Sequence, residues 1–284
     1  MANFDGFSAA PAAAGAAQAH RATRVGSLLL AGAVLSGLAL SAIAALAASP
    51  GRMILWQAVR ACVADSKLLG APFPCLMVDL SGGEDRGYVV LRAPFGPPDT
   101  ILAPTRKVVG VEDPWLQSPD APNYFAAAWR ARSLFEENGR KPPPPAEFAV
   151  AVNSALTRSQ DQLHIHMGCL GPYIRRALTA TAQRLPIGAW ERIGNIVPGT
   201  RLFAFRTGKK DLDGIYPFRL AAEGLAERTR NRAQLTIFVT QVQITSDEFI
   251  VLASPGGFGP YDRLTAEDIL DPACSSPPGL SRSN

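Results

Sequence analysis

The chain has 284 residues, 47% of them apolar, and a formal net charge of +4. That is enough apolar material for one large domain or two small ones. The arginines are scattered and no basic run is interleaved with aromatics, which argues against nucleic acid as a partner. The four cysteines, Cys62, Cys75, Cys169 and Cys274, form no CxxC pair, so a zinc ribbon or thioredoxin-type site is disfavoured.

Residues 1–26 are rich in Ala and Gly and are expected to be a disordered cytoplasmic N-terminus. Ser27 to Ser49 is an uncharged run of 23 residues, long enough as a helix to cross a hydrocarbon core of about 30 Å. It carries no polar stripe. Arg21 and Arg24 precede it, which places the N-terminus inside and the remainder outside. A cleaved signal peptide competes, because the run ends in small residues. On either reading the rest of the chain is exported. The expectation is a single-pass anchor at 27–49 in a bacterial inner membrane, with the bilayer as a partner and the catalytic domain in the periplasm.

Downstream, the spacing predicts a helix over 53–65, short strands at 88–92 and 100–102, and an amphipathic helix over 123–137. A proline-rich break at 141–145 precedes two consecutive strands, 147–151 and 162–170. A helix at 174–184 and strands at 202–206, 234–244 and 249–253 complete the domain, and a disordered tail is expected over 275–284. Strands in groups with helices between them predict an α+β fold with a mainly antiparallel sheet and flanking helices.

The chain has three histidines, and two of them, His164 and His166, stand two residues apart. In a strand, Gln162, His164 and His166 would share one face and Leu163, Ile165 and Met167 the other. Polar side chains in a row on a strand are costly to bury without a purpose. A purely structural pair is one reading. A zinc site is another, but it needs at least three protein ligands and no further histidine exists in the domain. A serine hydrolase is a third, but there is no GxSxG elbow. Histidine chemistry on phosphorus fits better: an imidazole attacks a phosphate, and water later hydrolyses the phosphoramidate. No acidic metal cluster is apparent, so no metal and no other cofactor is implied.

Ser159-Gln160-Asp161-Gln162-Leu163-His164-Ile165-His166-Met167 resembles the alternating motif of the histidine-triad superfamily, with Gln162 in place of the first histidine. Asn153, in the preceding strand, matches a typical asparagine. The run Ser159–Leu170 is similar to the signature of bacterial CDP-diacylglycerol pyrophosphatases. So are Leu102–Lys107 followed by Gly110-Val111-Glu112, and Asn123-Tyr124-Phe125 with Ala128-Trp129. The resemblance covers about residues 53 to 274. It implies a histidine-triad-like fold and hydrolysis of CDP-diacylglycerol to CMP and phosphatidate.

By that resemblance His164 is the nucleophile and forms a cytidylyl-histidine intermediate. His166 and Gln162 contact the phosphates, and Ser159 and Asn153 hydrogen-bond or orient the imidazole. A second register makes His166 the nucleophile and Gly168 the lost third position. A basic group for the diphosphate is expected among Arg106, Lys107, Arg130 and Arg132. Two other functions compete: a pyrophosphatase or nucleotidyltransferase on soluble nucleotide esters, and a non-catalytic nucleotide- or lipid-binding module.

In an exported domain an even set of cysteines tends to pair. Sequence-local pairing gives Cys62–Cys75 and Cys169–Cys274, although three connectivities and four free thiols all remain open.

Overall fold

The computed structural model describes residues 51–93, 100–135, 142–194, 196–229, 231–243, 247–256, 263–271 and 274. The chain divides into two units, Met1–Ser49 and Pro50–Asn284, and every described residue belongs to the second. The expected membrane span at 27–49 and the tail at 275–284 lie outside the described residues. Among the described residues no helix is long and apolar enough to cross a membrane.

The described residues include ten strands in one sheet: β1 (Met77–Asp79), β2 (Tyr88–Arg92), β3 (Thr100–Pro104), β4 (Phe148–Val152), β5 (Ile165–Leu170), β6 (Trp190–Ile193), β7 (Leu202–Arg206), β8 (Thr236–Gln243), β9 (Asp247–Ser254) and β10 (Leu270–Asp271). Their order is β1-β2-β3-β5-β4-β8-β9-β7-β6, and β10 pairs with the far end of β5. Every named pairing is antiparallel. The α+β expectation with a mainly antiparallel sheet is therefore met. The central strands β4 and β5 are buried along their whole length. That is why they read as continuous apolar runs, with polar residues only where the site is built.

Among the described residues four α-helices flank the sheet: α1 (Ile54–Leu69), α2 (Tyr124–Arg130), α3 (Pro172–Ala182) and α4 (Pro217–Gly224). On one face Val150, Ile165, Met167 and Val239 pack with Phe125 and Ala128 of α2 and Phe218 of α4. On the other, Ala149, Ala151, Phe238 and Leu252 pack with Ile174, Leu178 and Ala182 of α3. Those three α3 residues follow i, i+4, i+8 spacing, the stripe an amphipathic helix needs. Pro172 opens α3 at a position where a missing N–H costs nothing.

Helix α2 is shorter than the expected 123–137. Asn123 is its N-cap, accepting from Ala126 N while its amide donates to the Leu212 and Ile215 carbonyls. After Arg130 the chain tightens into a 3-10 turn, Ala131–Leu134. Strand β5 also begins later than the expected 162–170. Gln162 lies in a bend and His164 immediately precedes the strand.

Both expected disulfides are present, Cys62–Cys75 and Cys169–Cys274. The first ties α1 to the loop before β1. The second, across a sequence separation of 105, fastens the end of β10 to β5. By chain entropy a loop of that length is worth about 4–5 kcal/mol. The double variant Cys169→Ser/Cys274→Ser should lose about that much stability in denaturant melts, and a loss under about 1 kcal/mol would contradict the bridge's role.

Candidate active site

Strand β5 separates its neighbours by face. Ile165, Met167 and Cys169 belong to the α2 side, together with Leu163. His166 therefore points to the opposite face, where its cross-strand partners are Ile101 and Ala151. The positions next along that face are small, Ala149 opposite Gly168. An ideal Cβ on Gly168 would stand 3.4 Å from Leu270 of β10, in contact with it, so Leu270 packs over the place of a third alternating side chain.

His164 and His166 are both buried, at 7% and 8% exposure, with ring centroids 4.9 Å apart. His164 Nδ1 lies 2.8 Å from the backbone carbonyl of Gln162. A carbonyl only accepts, so Nδ1 carries the proton and Nε2 keeps its lone pair. Burial, with the neighbouring His166 acting in the same direction, pulls His164 down to about 4. The ring is therefore neutral at physiological pH, the form that acts as a nucleophile.

Gln162 does not occupy the place expected of it. Its side chain is fully buried and spent on backbone: Nε2 donates to the carbonyls of Pro104 (2.9 Å) and Arg106 (3.0 Å), and Oε1 accepts from Val108 N (3.3 Å). Leu163 N adds a bond to the Val108 carbonyl at 2.6 Å. No amide hydrogen is left for a phosphate. Gln162 instead clamps the loop after β3 and aims its own carbonyl at His164.

Asn153, one residue past β4, lies beside His166 rather than His164. Its Nδ2 is 3.5 Å from His166 Nε2 and 3.4 Å from Glu267 Oε2, and its Oδ1 accepts from Ala266 N at 2.7 Å. It joins the site strand to the segment before β10. Ser159 is exposed and, among the described residues, makes no hydrogen bond to either imidazole. The expectation that it orients the ring is not supported by this geometry.

The bend that carries Ser159 is held from two sides. Arg52 makes a bidentate pair with Asp161, both contacts 2.7 Å, and Gln160 bonds Leu55 N and the Gly51 carbonyl at the start of α1. Arg52, then Arg158, holds the Asp161 carboxyl at about 2. Arg158 also grips Glu112 at 2.7 and 2.8 Å with its side chain only 9% exposed. An ideal Cβ on Gly110 would fall 2.2 Å from Arg158 Nη1, so only glycine admits this pair. The Gly110-Val111-Glu112 run thus has a structural reason. Asp161 lies inside the site run and Arg158 just before it, yet nothing in residue spacing assigned them partners as distant as Arg52 and Glu112.

Of the expected basic groups, Arg106 and Lys107 follow β3 in the loop that Gln162 clamps. Arg106 also stacks over Trp115, 4.6 Å from its ring centroid. Arg130 pairs with Asp213 at 3.1 Å, and Arg130 and Arg132 stand at the end of α2, which packs on the face away from His166. Among the described residues no group of three or more His, Cys, Asp or Glu side chains is arranged to hold a metal ion.

Two predictions follow from this geometry. Gln162→Ala would leave two buried carbonyls and one N–H without partners, each worth about 1–3 kcal/mol. It should lower the melting temperature markedly, and an unchanged melt would contradict the clamp. The second concerns pH. Because the His164 value is lowered, the unfolded chain binds a proton between about 6.5 and 4 that the folded chain does not. Stability should therefore fall as pH drops through that window, by about 3 kcal/mol more in the wild type than in His164→Ala. Parallel denaturant titrations at pH 7 and 4.5 measure this, and equal losses would contradict a buried neutral ring.

The matching family model is that of the CDP-diacylglycerol pyrophosphatases, over residues 50–277. Among curated relatives, a CDP-diacylglycerol pyrophosphatase of Yersinia pestis is 30% identical over 227 residues, covering 80% of this chain and 85% of its own length. The match spans α1, the clamped loop, both histidines and the β10 segment, and the chain belongs to the CDP-diacylglycerol pyrophosphatase family.

Proposed function

We propose that His164 Nε2 attacks the phosphorus of the cytidylyl half of CDP-diacylglycerol, with phosphatidate as the leaving group, and that water then hydrolyses the cytidylyl-histidine to CMP. The overall reaction, hydrolysis of CDP-diacylglycerol by a hydrolase of this family, comes with the family. The observation that carries the histidine step is the single hydrogen bond from His164 Nδ1 to the Gln162 carbonyl, which leaves Nε2 unprotonated. After attack the ring becomes cationic, and that same carbonyl stabilises the charge.

In this reading His166, 4.9 Å away, holds phosphate oxygens, and Asn153 fixes its ring. Lys107 is the favoured diphosphate contact, exposed in the loop whose start the Gln162 clamp fixes beside the site strand, since Arg106 is stacked on Trp115 and paired with Asp85. The adjacent antiparallel strands β4 and β5, carrying Asn153 and the two histidines at their ends, support a histidine-triad-like arrangement. The uncharged run Ser27–Ser49 serves as a single-pass anchor, with the domain on the periplasmic side of a bacterial inner membrane. Two disulfides favour an oxidising compartment. An anchored domain meets a bilayer-borne diphosphate in two dimensions.

Purified protein incubated with CDP-diacylglycerol should yield CMP and phosphatidate by mass spectrometry. His164→Ala should lower the rate by at least about 10³-fold with the fold intact, and His166→Ala by about 10²–10³-fold. Brief incubation with substrate labelled in the cytidylyl phosphate should leave acid-labile label on His164. Label on His166 would assign the nucleophile to the other register, and full activity in His164→Ala would sink the covalent route.

A further inference from the structure

The segment before β10 brings a carboxylate to the site that the steps above do not use. Thr265–Asp268 forms a capping box in which Asp268 is consumed by the backbone and hydroxyl of Thr265. Ala266 N is bound by Asn153 Oδ1, and β10 pairs with β5 and is tied to it by Cys169–Cys274. These constraints fix the backbone on either side of Glu267. The residue is exposed, and its carboxylate has no ion-pair partner among the described residues and touches the site through one long contact to Asn153 Nδ2. That amide nitrogen also touches His166 Nε2. Glu267 and Arg158 both act electrostatically on His164, with opposite sign. Arg158 is already engaged by Glu112 and Asp161.

From this placement we infer that Glu267 is the general base of the second half-reaction, activating the water that releases CMP. The inference rests on the cytidylyl-histidine reading. Glu267 stands at the exposed side of the site, while both imidazoles lie inside. The carboxylate takes one proton from the water. The water oxygen forms a bond to phosphorus as the P–N bond breaks, and that electron pair returns to His164 Nε2. The products are CMP and a neutral imidazole, and the proton on Glu267 leaves to solvent. No oxidant, reductant or further reactant is needed. The first half-reaction requires no such base, because neutral His164 attacks directly and a phosphate monoester is a good leaving group.

The role therefore predicts a split between the two steps. In full-length Glu267→Gln, in detergent–lipid micelles with substrate labelled in the cytidylyl phosphate, first-turnover release of phosphatidate should stay within about twofold of wild type. CMP release should slow by about 10²-fold or more, and acid-labile label should accumulate on the protein. In Glu267→Ala, added formate should restore part of the CMP release by supplying the missing carboxylate. CMP release in Glu267→Gln within about threefold of wild type would overturn the assignment. Equal slowing of both steps without label accumulation would also overturn it, leaving Glu267 a positioning residue. Label on His164 with normal turnover in Glu267→Gln refutes only the base. CMP formation with no label in wild type or variant would refute the covalent reading beneath it.

Discussion

The site depends on one residue acting through two different groups. The Gln162 carbonyl accepts from His164 Nδ1 and so decides which ring nitrogen is free. The Gln162 side chain binds three backbone groups of the loop after β3, so the carbonyl cannot drift. A second-position hydrogen bond to a fixed carbonyl is a strong way to set a histidine tautomer, because the acceptor has no proton of its own to offer. If the clamp opened, both the tautomer and the loop carrying Arg106 and Lys107 would lose their constraint. In a histidine motif with glutamine in the first place, the glutamine is thus a structural member.

Around this bond the sheet is used asymmetrically. The α2 side of β5 is closed by aromatic and branched side chains and contributes packing. The opposite side carries alanines at 149 and 151 and glycine at 168, and that economy of volume gives two imidazoles room to stand on a buried strand. The cost of burying them is moderated by keeping His164 neutral, which is also the reactive state. The nearby arginines are paired, Arg52 and Arg158 with Asp161, and Arg158 with Glu112. They stiffen the bend without placing a buried unpaired charge next to the ring. The Cys169–Cys274 bridge then holds the segment bearing Ala266 and Glu267 against Asn153.

Much of this was legible in residue order. Strands β2 and β7 fall where β-branched and aromatic runs put them, and the paired histidines stand together at buried positions. Both disulfides match the sequence-local pairing expected of an even set of cysteines. What sequence could not show has physical causes. Strand β1 has three residues and β10 has two, too few for any periodicity. Strand β6 lies at the sheet edge with Glu191 and Arg192 exposed, so it lacks an apolar signature. Helix α4 is eight residues long. Alternation assigned Gln162 to the histidine face, but the strand starts only at Ile165, and its amide turned inward to backbone that no pattern could identify. Ser159 was read as a site group for its place in the motif, whereas the bend leaves it in solvent. Glu267 is far from Asn153 in sequence and is brought beside it only by strand pairing and a disulfide.

The central claim is that His164 is a neutral imidazole protonated on Nδ1, with Nε2 bare and available. Nitrogen-15 NMR of histidine-labelled protein at neutral pH reads this directly. The account predicts that His164 shows a protonated, carbonyl-bonded Nδ1 and an unprotonated Nε2, and that the spectrum holds this form as pH is lowered well below 6. A ring protonated on Nε2, or one that becomes cationic near pH 6.5 like a free histidine, would contradict it.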